Sequence, residues 1–387
     1  MHLVRCRIHR DARRARHGRL GRLSSLLAAP VLLVAGHAAA DPVIDMEVGG
    51  EHNCTVNACG SVQCWGNVNQ FYGEDMDLGS DYDDVAVGVD HTCALAFDDD
   101  GNPDLGGDVV CWGRSPADGD PEDWDLLAAP SDKFTQIDGG SFLTCGLKTN
   151  DQVDCWGWDK HGAASQEPSN FYAQVSAGYD YACGVTSGRN GIFCWGDVPA
   201  GVQELLIWDV PGRFVGEKWD KVSAGTGHVC ATTTASNLAG GLVHRLYCWG
   251  NNSAEQVNPV QPQDESFTIA EPLETTGEQS VTIYRHPGLG YLDVAAAGTG
   301  TCAVVFGSSG NEISCWGYPF TPYGLGLTTW GNPSHEPPLP AGFDPDRVFL
   351  AQHNLCAIDD DAQAVECWST DYINPMGEVD PDVEMCI

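Results

Sequence analysis

The stretch Val87-Gly88-Val89-Asp90-His91-Thr92-Cys93, answered further on by Cys111-Trp112-Gly113, decides the fold, because the chain says it seven times. A small-residue turn leads to a Cys that opens a short strand, a loop follows, and Cys-Trp-Gly closes the unit. The first copy runs from Val48-Gly49-Gly50 through Cys54 to Cys64-Trp65-Gly66. The third and fourth pass through Cys145 to Cys155-Trp156-Gly157 and through Cys183 to Cys194-Trp195-Gly196. The fifth and sixth pass through Cys230 to Cys248-Trp249-Gly250 and through Cys302 to Cys315-Trp316-Gly317. The last runs through Cys356 to Cys367-Trp368-Ser369, with Ser in place of Gly. Short β-rich runs such as Val85-Ala86-Val87 and Val109-Val110-Cys111 stand between Gly, Asp and Asn turns, and no stretch keeps helical periodicity. About 50 residues per unit is the size of one four-stranded propeller blade. The expectation is an all-β, seven-bladed β-propeller occupying residues 41–387 as a single domain.

The phrase Ser-Ala-Gly-x-x-His-x-Cys, a hairpin, then Cys-Trp-Gly resembles the repeat of the regulator-of-chromosome-condensation family, in the Cys-containing form found in exported bacterial proteins. The resemblance implies a seven-bladed propeller whose members act mainly as protein-binding surfaces, among them a nuclear exchange factor and a secreted β-lactamase inhibitor. Two departures limit what carries over. The family's Gly-Gln-Leu-Gly segment is eroded to Gln70-Phe71-Tyr72-Gly73 or Tyr323-Gly324-Leu325-Gly326, and no basic tail or exchange-factor wedge is visible. The fold therefore transfers and nucleotide exchange does not.

Upstream of the repeats, eight Arg between Arg5 and Arg22 precede an apolar stretch from Leu23 to Ala35 and the small residues Ala38-Ala39-Ala40. This is the order of a signal peptide, with cleavage expected after Ala40. The apolar run is short for a membrane span and is interrupted at Pro30, so no membrane insertion is expected. The expected location is outside the cytoplasm: extracellular, cell surface or periplasm. Without residues 1–40 the chain keeps 11 basic and 53 acidic residues, a net charge of −42. Such a field repels phosphate backbones and anionic bilayers, which disfavours nucleic acid and membrane surfaces as partners and favours cations and basic proteins. Acidity also serves plain solubility.

Of 17 Cys, Cys6 leaves with the leader, and sixteen remain for an oxidising compartment. Within each repeat the two Cys fall on adjacent strands, where directly opposite antiparallel neighbours come close enough to bridge. Seven such pairs leave Cys59, in the first hairpin, and Cys386, near the C-terminus. Cys59–Cys386 would clasp the last segment to the first blade. Intermolecular pairing or a free thiol is the alternative. Zinc is disfavoured because no Cys-x-x-Cys spacing occurs.

Candidate ligand residues are few. Asp98, Asp100 and Asp104 surround Gly101 in a pattern resembling the Asp-x-Asp-Gly-x-x-Asp loops of calcium-binding extracellular repeats, and also fit an ordinary Asp-Gly turn. The seven motif Trp read as packing between blades, because a residue needed once per blade is core. Trp124, Trp158, Trp208, Trp219 and Trp330 stand outside the motif and read as candidates for exposed recognition, with Trp124, Trp158 and Trp330 put forward as binding residues. His52, His91 and His228, each two before the first Cys of a repeat, read as turn-anchoring side chains that bond a backbone carbonyl, not as a metal ring. No nucleophile elbow, phosphate loop or His-Glu-x-x-His helix is present, so no catalytic residue is assigned. The leading expectation is a non-catalytic protein-binding module that presents the long connections, Pro259 to Gly290 and Tyr318 to Asp346, and the acidic face to a protein partner. A glycan binder using the off-motif Trp, and a calcium-dependent hydrolase with a channel site, are the other two classes.

Overall fold

The computed structural model describes residues 42–50, 52–66, 82–96, 105–113, 126–159, 162–165, 167–198, 205–206, 217–236, 242–253, 256–257, 265–273, 277–285, 290–307, 310–318, 337, 339–351 and 354–369. These residues form seven antiparallel sheets, one per repeat. Blade 1 is β1 (Val43–Val48), β2 (His52–Asn57) and β3 (Val62–Gly66), and blade 2 is β4 (Tyr82–Val87), β5 (His91–Ala96) and β6 (Asp108–Gly113). Blade 3 is β7 (Phe134–Gly139), β8 (Leu143–Lys148) and β9 (Val153–Gly157). Blade 4 adds a two-residue strand to its three: β10 (Tyr172–Ala177), β11 (Tyr181–Thr186), β12 (Gly191–Gly196) and β13 (Leu205–Leu206). Blade 5 has β14 (Lys218–Ala224), β15 (His228–Ser236) and β16 (Leu242–Gly250), extended by β17 (Glu265–Leu273) and β18 (Gly277–Arg285) in the order β14-β15-β16-β18-β17. Blade 6 is β19 (Tyr291–Ala297), β20 (Thr299–Phe306) and β21 (Asn311–Tyr318), and blade 7 is β22 (Arg347–Leu350), β23 (Asn354–Asp359) and β24 (Ala364–Ser369). Four strands per blade were expected; among the described residues five blades have three.

The first strands of successive blades contact one another, and β22 of blade 7 returns to β1 of blade 1, so the ring closes with these strands innermost. The core lies between blades. Tyr181, Val185 and Ile192 of blade 4 pack against Trp219, Val222, Val229 and Trp249 of blade 5, and equivalent clusters fill the other joints. Motif tryptophans Trp112, Trp156, Trp195, Trp249 and Trp316 are buried, as a once-per-blade packing residue should be. Trp65 and Trp368 are half-buried against the clusters at their own joints.

In each blade the two Cys are register partners on the second and third strands, and all seven pairs are bonded with Cα atoms 4.0–4.1 Å apart. The expected intrablade staples are present at Cys54–Cys64, Cys93–Cys111, Cys145–Cys155, Cys183–Cys194, Cys230–Cys248, Cys302–Cys315 and Cys356–Cys367. Bridge position is constant while the enclosed loop varies from 10 to 18 residues in separation. The Gly closing Cys-Trp-Gly has a backbone reason: Gly157 sits at φ 108°, and a Cβ there would come 2.6 Å from the Phe142 carbonyl oxygen.

Candidate functional site

Aligning the seven inner strands exposes a position the repeat phrase hides. Each of β4, β7, β10, β14 and β19 carries a buried aromatic at its start, Tyr82, Phe134, Tyr172, Trp219 (second in β14, after Lys218) or Tyr291. A register shift follows immediately in these strands and in β1. Such bulges re-aim the next side chain. The residue after the bulge is Asp45, Asp84, Gln136, Gln174, Lys221 or Asp293, and in blade 7 the same place is held by Arg347.

All seven reach the next blade. Asp45 Oδ2 accepts from the Val85 N–H at 3.2 Å, and Asp84 Oδ2 from Ile137 N–H at 2.8 Å. Gln136 and Gln174 each clamp one residue of the following strand, accepting from its N–H and donating to its carbonyl: Val175 at 3.2 and 3.0 Å, Val222 at 2.8 and 3.1 Å. Lys221 Nζ pairs with Asp293 Oδ1 at 2.6 Å, Asp293 Oδ2 accepts from Val348 N–H at 2.9 Å, and Arg347 donates to the Ile44 carbonyl at 3.0 Å, closing the circuit. The physical need is plain. The inner strand is a sheet edge whose N–H groups would otherwise lack partners. A partial second tier repeats the scheme two residues on, where Asp138, Ser176 and Ser223 accept from the N–H of Ala177, Ala224 and Ala296.

Carboxylates concentrate on blades 1 to 3 of this ring. Burial raises Asp45, raises Glu47 and Asp84 well above the usual carboxylate range, and pushes Asp138 up to about 7. Asp138 stays that high despite the Ala177 N–H and the Lys221 ammonium, both of which favour its charged form.

A third set of ties lies one strand further out. His52, His91 and His228 are fully buried, and each Nε2 meets the hydroxyl of a Thr on the next blade: Thr92 at 2.7 Å, Thr144 at 2.7 Å and Thr301 at 2.8 Å. The turn-anchoring reading is corrected in where the ties run: they cross the joint to the next blade, where His228 also makes a backbone hydrogen bond with Gly300. Burial holds all three imidazoles at about 4, hence neutral at pH 7. The Gly-x-x-His spacing follows from packing, because a Cβ on Gly88 would lie 2.2 Å from the His91 ring. In blade 4 Tyr181 takes this place and donates to the His228 carbonyl at 2.9 Å.

Of the off-motif tryptophans, Trp219 is completely buried, which corrects the expectation of exposed recognition there. It is blade 5's copy of the strand-opening aromatic, so packing claims it. Trp158 is half-buried beside Phe142, with ring centroids 6.4 Å apart, and Phe142 meets the exposed Tyr179 of blade 4 edge-on at 5.7 Å. Asp159 and Asp180 adjoin this aromatic group in sequence. Trp124, Trp208, Trp330 and the loop of Asp98, Asp100 and Asp104 lie outside the described residues, as does Cys386. Cys59 is disulfide-bonded. No group of three or more His, Cys, Asp or Glu able to hold a metal occurs among the described residues, and no described helix is long and apolar enough to cross a membrane.

The extension of blade 5 is the clearest departure from sevenfold repetition. β17 and β18 pair along nine residues each, yet β18 joins β16 only at Ile283, Tyr284 and Arg285. Most of the hairpin therefore projects beyond the blade, and among the described residues β17 is the sheet's outer strand.

No family profile matches the chain. Solved structures do. The structure of Kap60 bound to yeast RCC1 (Prp20) contains a chain 16% identical, with TM-score 0.57, covering 87% of this chain and 81% of that one. Prp20p from Saccharomyces cerevisiae is 15% identical over 87% of this chain and 84% of its own, also with TM-score 0.57. The ectodomain of the Physcomitrella patens receptor kinase CR4 is 17% identical, with TM-score 0.51, covering 86% and 74%. Repeat phrase, seven closed blades and likeness to the yeast propellers together make the chain a regulator-of-chromosome-condensation-like repeat propeller.

Proposed function

We propose that the protein is an exported, non-catalytic interaction module that engages a protein partner through the blade 5 hairpin and the acidic surface around the ring. The observation that carries this is the hairpin itself. Among the described residues it is anchored to its blade at three residues, and β17 has no strand on its outer side, an edge of the kind that accepts another strand. It also falls within the long connection from Pro259 to Gly290. A net charge of −35 for the full chain favours a basic partner. Export is supported by the leader pattern of residues 1–40 and by seven disulfides, which belong to an oxidising compartment. A clasp of Cys59 by Cys386 is part of the same proposal.

The test compares the mature oxidised propeller with a variant whose residues 265–285 are replaced by a short turn. Capture of a basic envelope or secreted protein by the first and not the second, at unchanged melting temperature, supports the reading. Equal capture by both sinks the hairpin's role, and no capture by either sinks the module.

A second reading, glycan binding, is favoured by Phe142, Trp158 and Tyr179 lying together across blades 3 and 4. Retention on a polysaccharide column that Trp158→Ala abolishes would support it. Calcium at Asp98, Asp100 and Asp104 remains part of the proposal, tested by calorimetric titration of the mature protein against the Asp100→Asn variant. A calcium-dependent hydrolase would show turnover of esters or lactones lost with that substitution.

A further inference from the structure

Phe142, Trp158 and Tyr179 occupy places where the fold asks for no aromatic ring. The Trp158 N–H donates to the Phe142 carbonyl at 2.7 Å, joining the residue after Cys-Trp-Gly to the turn between β7 and β8. Blade 4 makes the same bond from Asp197 to Asp180 at 3.0 Å, and blade 5 makes it from Asn251 to Gly227 at 2.8 Å. Tyr179, one residue before Asp180, has Thr226 as its blade 5 counterpart. A residue the ring needs recurs in blade after blade, as the Cys-Trp pairs do. These three rings do not recur, yet they meet across the joint between blades 3 and 4. The Phe142 centroid lies 6.4 Å from that of Trp158 and 5.7 Å from that of Tyr179. Tyr179 is 42% exposed, so the group reaches solvent on the face that carries these turns.

The surroundings of the group are anionic. Asp90 holds the place of Phe142 in blade 2 and Asp180 holds it in blade 4, Asp197 holds that of Trp158 in blade 4, and Asp159 follows Trp158 directly. Among the described residues, these turns and the segments that follow Cys-Trp-Gly carry no Lys or Arg. The face of an aromatic ring attracts a cation, and the carboxylates and the charge of the whole chain add to that pull. A neutral sugar would use the rings and gain nothing from the charge. We propose that Phe142, Trp158 and Tyr179 form a recognition site for an arginine side chain in a basic segment of the protein partner, with the guanidinium on the rings and the neighbouring carboxylates drawing it in. Arginine suits the site better than lysine, because its planar, weakly hydrated head stacks on aromatic faces. Such a site rests on the reading of the protein as a module for a basic partner, and it is separate from the blade 5 hairpin.

Calorimetric titration of the full oxidised protein in about 0.15 M salt tests this, with a blocked glycine–arginine peptide and its twin carrying citrulline, the neutral isostere of arginine. Phe142→Asp with Trp158→Asp gives blade 3 the pair that blade 4 already folds with, and it adds two negative charges. Attraction by charge alone then gives tighter binding of the arginine peptide. Recognition by the rings gives binding about tenfold weaker, and no binding of the citrulline twin by either protein. Tyr179→Thr, the blade 5 counterpart, should weaken the arginine peptide about threefold and keeps the test alive if the double variant fails to fold. Equal or tighter binding by the variants overturns the site, as does equal binding of the two peptides by the wild type. Retention on a polysaccharide column that the double variant loses, with binding of the arginine peptide unchanged, overturns it in favour of a sugar. The titration uses no native partner, so a failed site leaves the hairpin result untouched, and failed capture in the hairpin experiment leaves the titration readable.

Discussion

Lowering the pH should weaken the joint between blades 2 and 3 through His91, and the size of the effect follows from its surroundings. The imidazole is fully buried, its Nε2 lies 2.7 Å from Thr144 Oγ1, and burial holds it at about 4 against an ordinary value of 6.5. As pH falls, the unfolded chain takes up this proton first, so the stability His91 contributes is complete above 6.5 and is lost as pH falls toward 4. Between neutral pH and about pH 4.5, the loss from this one residue is about 2 kcal/mol. Blade 3 shows how to remove it, because Leu143 occupies the equivalent place and is just as buried. The variant His91→Leu with Thr144→Val should therefore lose about 2 kcal/mol less than the wild type over that interval. Chemical denaturation with the disulfides intact, followed by tryptophan fluorescence at both pH values, reads the difference. The raised carboxylates of the inner ring act with the opposite sign between about 4 and 7, but they are common to both proteins and cancel. Thr144→Val alone is the control: it strands the His91 ring nitrogen and should cost about 1–3 kcal/mol at neutral pH. Equal losses in the double variant and the wild type would refute the reasoning, since the imidazole would then titrate alike folded and unfolded.

Three further outcomes follow from the same geometry. Replacing Cys183 and Cys194 by Ala, a pair enclosing a separation of 11 residues, should lower stability by about 3 kcal/mol in thermal or chemical unfolding. Arg347→Met should cost about 1–3 kcal/mol by removing the bond to the Ile44 carbonyl and the pair with Asp360, and limited proteolysis should then cut first in blade 7 or blade 1. Trp219→Ala should cost about 3–5 kcal/mol, read as a fall in melting temperature without loss of partner capture, because the side chain is sealed between blades 4 and 5.

Much of the architecture is legible in the amino-acid sequence, and the reason is repetition. A unit that cannot bury its own faces must stack on copies of itself, so Cys-Trp-Gly appearing six times and Cys-Trp-Ser once announce blade number, strand identity and bridge pattern together. The inner-ring residues were just as periodic but went unseen, because Asp, Gln, Lys and Arg share no side-chain chemistry by which a reader would align them. The usable signal was the frame around them: an opening aromatic, one spacer, the ring residue, then an aliphatic such as Val85, Val175, Val222 or Val294. Trp219 was misassigned for the same reason, since its role as an opening aromatic is visible only beside Tyr172 and Tyr291.

What the amino-acid sequence determined by itself is therefore what is local or repeated: the strands, the turns, the glycines with positive φ, and the cysteine partners within a hairpin. Tertiary structure alone decided which groups meet across a joint. His91 and Thr144 are 53 residues apart, Lys221 and Asp293 are 72 apart, and Arg347 reaches Ile44 across 303. Each of those contacts exists because closing the ring brings one blade beside the next, and the charge state of a side chain there depends on burial by residues remote in the chain.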